Sequence, residues 1–168
     1  MMSRVGSEND VGRPVSRRVM RGFHGSLLTA ARAEYDDGAG MTISELARLS
    51  GVSVPTLHRW ESGDSVPQID KLREAAEVLG IGVPMERLID IPRDERFPVD
   101  WRALFGLLQP TVGGMIGVKT SVVSAVERGS RPPTPKQAAA LADIYGISTD
   151  EFLASWERVR NRPVGTGY

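Results

Sequence analysis

The sequence predicts an all-α protein made of two copies of one helical unit. No segment alternates cleanly between apolar and polar residues, so no β-strand pattern competes with the helical ones. Apolar residues instead recur at the spacing of amphipathic helices along most of the chain. The third observation is an internal repeat: the stretch GVSVPTLHRWESG at 51–63 returns as GVKTSVVSAVERG at 117–129.

The repeat continues beyond these two stretches without a gap. Its identical residues are mostly glycines, prolines and small apolar residues, which occupy the turns, helix ends and core of one helical plan. Chance similarity between two helical segments would not keep the glycines and prolines in phase. The identical pairs are Gly51 and Gly117, Val52 and Val118, Glu61 and Glu127, Gly63 and Gly129, Pro67 and Pro133, Ala76 and Ala142, Gly80 and Gly146, and Ile81 and Ile147.

The elements of the first unit follow from local signals. Residues 1–21 are polar, carry five arginines against two acidic residues and lack periodicity, so we expect a disordered basic arm. The first unit, residues 22–91, begins with a helix over 23–35, and the loop DDGAG ends it. Thr42 and Glu45 predict a capping box that opens the second helix.

The third helix of this unit has a start and a stop signal. Ser53 can cap it, and Pro55 lies in its first turn, where no intrahelical N–H is needed. Gly63 can end it in the left-handed conformation. The pattern VPQIDKLREAAEVLGI predicts a fourth helix, and Met85–Ile89 a short fifth one.

A linker at 92–98 separates the units, because DIPRDERFP combines two prolines with a charge run. Extended, such a segment of about nine residues would reach ~30 Å. Thr134 to Gln137 and Ser148 to Glu151 predict two further capping boxes. The second unit spans 99–160, with a flexible tail at 161–168. Its predicted helices are Val99–Phe105, Pro110–Ile116, Thr120–Arg128, Pro135–Tyr145 and Thr149–Arg160.

Composition and charge narrow the function classes. The 168 residues include 21 basic and 21 acidic ones, so net charge gives no overall attraction to nucleic acid or membranes. Cysteine is absent, which excludes disulfides, a thiolate nucleophile and cysteine metal sites. The N-terminal stretch lacks the apolar core of a signal peptide, and no apolar run approaches a membrane span. We therefore expect a cytoplasmic protein that contacts no membrane.

The repeated stretch has the residue types of a DNA-binding helix-turn-helix. In this motif the second helix lies in the major groove and the first helix braces it. Gly51 and Val52 suit the turn, while Leu57 and Trp60, three residues apart, can anchor the second helix in the core. Arg59 then faces outward, where an arginine can bond bidentately to guanine O6 and N7.

The first unit resembles the phage-repressor and Cro-type helix-turn-helix family, also called the xenobiotic-response-element family. The resemblance rests on ELA in the bracing helix, on GVS, on the ending WESG, on the following proline and on the closing LGI. The second unit resembles the same family, so residues 23–91 and 99–155 are covered. The implied fold is two tandem lambda-repressor-like bundles of four to five helices. Residues 42–61 are also similar to mercury-resistance-type regulators, but the ESG…P…LGI continuation and the repeat favour the phage-repressor type.

The resemblance also implies site residues. The family's base-contacting positions fall on Val54, Pro55, Thr56 and Arg59, and on Thr120, Ser121, Val122 and Ala125, with Lys119 at the helix start. Gln109 stands where the family favours a glutamine that contacts phosphate or base. A helix-one arginine that pairs with the glutamate of the ExG ending matches Arg102 with Glu127, and Arg32 with Glu61. The whole predicted DNA-contact set is Val54, Pro55, Thr56, His58, Arg59, Gln109, Lys119, Thr120, Ser121, Ser124, Arg128 and Arg131.

The two units differ in ways that leave open which of them reads DNA. Ala125 stands where the first unit has Arg59, and Gly113 and Gly114 inside the bracing helix cost ~1 kcal/mol each relative to alanine. Residues 22–91 carry six basic and eleven acidic groups, whereas 92–168 carry ten basic and eight acidic groups. The first unit therefore has the better reading residue and the second the better field for phosphate.

Two function classes remain open. The first is a sequence-specific regulator of transcription, preferably a repressor, that reads double-stranded DNA with the helix at 53–62 and with a second at 119–128. The second is a protein-interaction module of the antitoxin or anti-repressor type, which the acidic first unit favours. A second copy of the chain and a different protein both stay open as partners.

Enzymatic and metal-binding functions find no support in the sequence. It contains no paired carboxylates in a cleft-like context, no phosphate-binding glycine loop before a strand and no serine or cysteine triad signature. His58 is interpreted as solvent-facing, because His24 is the only other histidine. We expect no enzymatic activity, no cofactor and no metal.

Overall fold

Helices make up nearly all the regular structure of the protein. The computed structural model describes residues 20–166, and apart from one isolated β-bridge between Phe23 and Ile89 their secondary structure is helical, which confirms the predicted class. No helix within these residues is long and apolar enough to cross a membrane. The helices are α1 (Gly25–Gly38), α2 (Ile43–Ser50), α3 (Val54–Ser62), α4 (Ile69–Val78), α5 (Pro98–Leu104), α6 (Gln109–Ile116), α7 (Thr120–Glu127), α8 (Pro135–Ile144) and α9 (Thr149–Arg160).

Capping boxes fix the start of two helices, as predicted. In α2 the Glu45 N–H donates to Thr42 Oγ1 at 3.1 Å, and the Thr42 N–H donates to Glu45 Oε2 at 3.0 Å. Hydrogen bonds from the Thr42 backbone and hydroxyl lower the pKa of Glu45 below its ordinary value. Thr134 and Gln137 exchange the same two bonds at the start of α8.

The third predicted capping box is only half formed. The Glu151 N–H donates to Ser148 Oγ at 3.1 Å, so the serine caps α9. The Glu151 carboxylate does not return to Ser148, because it accepts two hydrogen bonds from the Arg93 guanidinium instead. A partner fifty-eight residues away along the chain therefore overrides the local preference.

The short helix predicted at Met85–Ile89 is wrong. The segment is a turn in which the N–H groups of Leu88 and Ile89 both donate to Met85 O at 3.0 Å. Ile89 then pairs with Phe23 in the β-bridge, and the Asp90 N–H donates to Gly22 O at 2.8 Å. The residues just before α1 thus hold the end of the first unit in an extended conformation that a helix could not adopt.

A single cluster of buried apolar side chains runs through both units. Leu57 and Trp60 of α3 lie in it as predicted, and Val123 and Val126 of α7 occupy the equivalent places. The two halves of the cluster meet where the first unit ends and the second begins. The buried residues at that junction are Met85, Leu88, Ile89, Ile91, Trp101 and Leu104.

The segment 92–98 is folded rather than extended. A 3-10 turn at Arg93–Glu95 opens it, and Pro98 already forms the first position of α5. Arg96 between them is only 5% exposed. The segment therefore joins the units at close range, and the ~30 Å reach of an extended chain does not describe it.

The two ends of the chain are described in part. Residues 1–19 of the expected basic arm lie outside the described residues, but Arg21 forms an ion pair with Asp100, with Nη1 2.5 Å from Oδ2. Burial raises the pKa of Asp100, and the hydrogen bond from the Phe97 N–H and the Arg21 charge oppose that shift. After α9 the residues 161–166 form turns, and 167–168 of the expected tail lie outside the described part.

Candidate nucleic-acid interface

A tight turn of the same shape joins two helices in each unit. α2 ends at Gly51, which has φ 73°, and α6 ends at Gly117, which has φ 71°. Glycine suits these left-handed positions because it has no Cβ to clash with the backbone. The turn residue Val52 is buried, and Val118 is half-buried in the second unit. Each turn thus directs the following helix, α3 or α7, across the one before it.

The same arginine–glutamate brace supports both turns, as predicted. Arg32 donates from Nε to Glu61 Oε1 at 2.6 Å and from Nη2 to Glu61 Oε2 at 3.0 Å, and Nη1 donates to Met41 O at 2.6 Å. In the second unit Arg102 donates to both carboxylate oxygens of Glu127, and its Nη1 donates to the Leu107 carbonyl at 2.8 Å. One guanidinium in each unit therefore ties its first helix to the end of α3 or α7.

The outer face of α3 carries the first group of predicted contact residues. Pro55, His58 and Arg59 are exposed, and Val54 is half-buried. No hydrogen bond or ion pair within residues 20–166 engages the Arg59 guanidinium, so it is available to a ligand. The Thr56 hydroxyl is already hydrogen-bonded to Ser53 Oγ at 2.8 Å, so it has less remaining hydrogen-bonding capacity for a base edge.

The outer face of α7 differs from that of α3 in chemistry. Lys119, Thr120 and Ser121 at its start are exposed, as are Arg128 and Arg131 just beyond its end. The predicted contact residue Ser124 is half-buried and accepts a hydrogen bond from Arg128 Nη1 at 3.1 Å. This face offers several cations and small hydroxyls where α3 offers a single arginine.

Gln109 is placed differently from the other predicted contact residues. It begins α6, is half-buried, and donates from Nε2 to Glu127 Oε2 at 2.7 Å. The amide thereby adds a third donor to the carboxylate that Arg102 already holds. Its predicted contact with phosphate or base stays a prediction, and its observed contact supports the brace of the second unit.

A groove beside α3 brings in residues that sequence reasoning missed. It has a volume of ≈360 Å³ and is lined by Arg59 and Thr56 of α3, by Ser53 of the turn, and by Gln68 and Lys71 at the start of α4. Lys71 also pairs with Glu74 at 2.9 Å, and that contact raises the pKa of Lys71. Only the fold brings Lys71 next to Arg59, so no local pattern could have identified it.

The second unit also has a cation that the sequence reasoning missed, although it is one position away from the place of Lys71 in the repeat. Lys136 in the first turn of α8 is exposed, on the helix that follows α7 and Arg131. The one acidic residue of α7, Glu127, is buried in the brace. In residues 20–166 no group of three or more histidine or acidic side chains is arranged to hold a metal ion.

Comparison with known proteins gives one match. A family model described as Helix-turn-helix (HTH_3) matches residues 37–84 and again residues 100–152. The first matched range contains α2 to α4, and the second contains most of α5 and all of α6 to α8, so both turns and both outer faces are covered. Searches of curated proteins and of solved structures gave no match.

Proposed function

The chain belongs to the helix-turn-helix family, which consists of DNA-binding regulators, and from this premise we propose that it binds double-stranded DNA in a sequence-specific manner to regulate transcription. The matched ranges cover about three fifths of the chain and include part of each unit. Binding in the major groove would involve the outer face of α3, with α2 as its bracing helix.

The observation that carries this proposal is the state of Arg59. Its guanidinium is exposed and unengaged among the described residues, one helical turn beyond Pro55, while Leu57 and Trp60 hold the opposite face of α3 in the core. An arginine in this position can donate two hydrogen bonds to O6 and N7 of guanine. Pro55 and Val54 beside it offer apolar contact to a thymine methyl group.

The second unit would supply phosphate contacts, and Thr120 and Ser121 of α7 would add a weaker sequence preference. Lys119 stands at the N-terminus of α7, where its charge and the helix dipole have the same sign, so an anion there is favoured. Arg128, Arg131 and Lys136 add exposed positive charge around this helix. Phosphate contacts of this kind bind without reading the base sequence.

We favour repression as the regulatory outcome, because two units bound to one duplex would block the access of other proteins to a promoter. This function requires a cytoplasmic location with access to DNA. An antitoxin-like or anti-repressor protein partner is the second candidate, and the excess of acidic groups in the first unit favours it.

Selection of duplexes from a random pool with the purified protein tests the function directly. We expect an enriched sequence that contains a guanine whose replacement weakens binding, and an affinity whose logarithm falls by about 0.9 for each contacted phosphate as log salt rises. The Arg87→Ala variant is the matched control, because it removes an exposed arginine paired with Glu34 away from α3. Absence of DNA binding at low salt would contradict the proposal and favour the protein partner.

A further inference from the structure

The segment between the two units contains a buried arginine that contacts both of them. Arg96 Nη2 donates to Glu86 Oε1 at 2.9 Å, and its Nε donates to Ile91 O at 3.0 Å, both in the first unit. The same guanidinium lies over the ring of Trp101 in α5, 4.7 Å from the ring centroid. A cation held over an aromatic ring at this distance is attracted by the ring electrons.

The last helix of the second unit holds the backbone of the same residue. Arg158 of α9 donates to the Arg96 carbonyl from Nε at 3.1 Å and from Nη2 at 2.8 Å. Arg93, three residues before Arg96, pairs with Glu151 at the start of α9, and its guanidinium lies 5.5 Å from the Trp101 ring centroid. The segment is therefore held to the first unit by the Arg96 side chain, and to the second unit by the Arg93 and Arg96 side chains and the Arg96 carbonyl.

Direct contacts between the units add to this arrangement. The Met85 N–H of the first unit donates to Leu104 O at the end of α5 at 2.8 Å. Gly106, with φ 64°, lies so close to Arg73 of α4 that a Cβ there would be 2.6 Å from the arginine Cβ. Glycine at this position lets the chain after α5 pack directly against the Arg73 side chain, and any larger residue would have to displace it.

We propose that the two units form one rigid reader and that Arg96 is the positioning residue that fixes the angle between α3 and α7. An isolated surface ion pair would not do this, because exposed pairs contribute little to stability. Arg96 is buried, has several partners and lies at the place where the apolar cluster passes from one unit to the other. A rigid connection means that folding, rather than the DNA, sets the separation of the two outer faces.

For DNA this predicts a site made of two unlike halves at one fixed spacing, a consequence that rests on the proposed function. Two unlike halves are expected because α3 presents Arg59 where α7 presents Ala125. A fixed spacing is expected because a rigid reader cannot follow half-sites that rotate around the duplex, whereas units on a flexible chain can. The rigidity itself does not depend on DNA and can be measured without it.

The first experiment measures rigidity in the absence of DNA. The chain has no cysteine, so spin labels can be attached only where cysteine is introduced, at the exposed alanines Ala33 of α1 and Ala139 of α8. Pulsed electron paramagnetic resonance should give one narrow distance distribution for the otherwise unchanged protein. The Arg96→Ala variant should give a broad or shifted distribution, and Arg87→Ala, which removes an exposed arginine within the first unit, should leave it narrow.

Two results of this experiment would overturn the inference. A broad distribution in the unchanged protein would show that the units move independently. An equally narrow and unshifted distribution in Arg96→Ala would show that other contacts fix the angle. If Arg96→Ala fails to fold, Arg158→Ala replaces it, because that change removes both bonds to the Arg96 carbonyl and leaves the Arg96 side chain in place.

The second experiment measures the consequence for DNA on the site obtained by selection. Insertion of five base pairs between the halves moves the bases that α7 contacts out of its reach, and it should weaken binding of the unchanged protein about tenfold, because the phosphate contacts remain and only the base contacts are lost. The Arg96→Ala variant should lose less than about threefold on the same insertion. Equal losses in both proteins would contradict the role of Arg96. Absence of any DNA binding together with a narrow distance distribution would refute the proposed function and leave the rigid arrangement standing.

Discussion

The two units share a scaffold and differ in what the scaffold displays. Each has a left-handed glycine after its bracing helix and a guanidinium held between a glutamate and a backbone carbonyl. On the outside, Arg59 of α3 is replaced by Ala125 of α7, and the Ser53 cap is replaced by Lys119. The comparison shows that one helix can keep a constant inner face for stability while its outer face changes from a single arginine to several cations and small hydroxyls.

The braces themselves differ in depth, and removing them should give the largest effect. The Glu127 side chain is 6% exposed and has Arg102 and Gln109 as donors, whereas the Glu61 side chain is 12% exposed. Glu127→Ala leaves the half-buried Arg102 without its carboxylate, which costs up to ~3 kcal/mol. Urea unfolding should show this loss, and a smaller one for Glu61→Ala. Equal losses would mean that burial does not distinguish the two braces.

The bracing helices differ at one position where the backbones approach more closely in the second unit. A Cβ at Gly113 of α6 would lie 2.8 Å from the Val118 carbonyl oxygen, while the first unit has Ala47 there. Gly113→Ala should therefore lower the free energy of unfolding by ~1–3 kcal/mol, as overpacking does.

Gly114 in the same helix is the matched control for this prediction. It is exposed, and a Cβ would meet nothing within 4 Å, so Gly114→Ala should stabilise the protein by about 1 kcal/mol or less. Thermal or urea unfolding of the two variants measures the contrast. If both substitutions stabilise the protein, the close approach at Gly113 does not constrain α6.

The outer faces can be compared by removing one cation from each. Arg59→Ala should cost ~1–3 kcal/mol on the best site and relax the preference at one base position. Lys119→Ala should weaken binding about equally on all sequences and reduce the salt slope by about one. Fluorescence anisotropy on specific and scrambled duplexes at two salt concentrations measures both. If Lys119→Ala abolishes the specific preference and Arg59→Ala preserves it, the reader is the second unit.

The smallest expected effect is on the pH dependence of stability at the starts of α2 and α9. There Glu45 and Glu151 each stand three residues after a capping residue. The Glu45 carboxylate accepts a hydrogen bond from the N–H of its own capping residue, Thr42, whereas hydrogen bonds from Arg93 lower the pKa of Glu151. A carboxyl whose pKa is lowered by folding stabilises the protein above its unfolded pKa, and that contribution disappears as the pH falls through its folded pKa. Glu151→Gln should therefore reduce stability at neutral pH by less than ~1 kcal/mol. It should have no effect in strong acid, which urea unfolding at several pH values measures.

The parts of the structure that the sequence predicted are those encoded locally. A hydroxyl residue followed three positions later by glutamate or glutamine predicts the capping boxes at Thr42 and Thr134. The i, i+3 spacing of apolar residues predicts that Leu57 and Trp60 are buried. The ion pairs of Arg32 and Arg102 are distant along the chain, and only the resemblance to a known family made them predictable. The contact set remains a prediction at the level of single residues.

The parts that were missed depend on contacts across the fold. Glu151 has the signature of a capping box, and nothing near it in sequence indicates that Arg93 will take its carboxylate. Arg96 lies in a run of charged residues and prolines typical of an exposed linker, yet it is buried. Such residues lack a periodic neighbour pattern, so only the packing of α5 and α9 against the end of the first unit reveals them.

The continuous apolar cluster has a consequence for how mutations act on the protein. Because Met85 and Ile91 of the first unit and Trp101 and Leu104 of the second lie in one continuous core, the units should unfold together, in one calorimetric transition rather than two. A destabilising substitution of a buried residue in α7 would then also lower the temperature at which α3 unfolds. The free energy of unfolding then belongs to the whole chain and not to either unit. A destabilising substitution on one outer face is therefore tolerated only while the whole chain remains stable enough to stay folded.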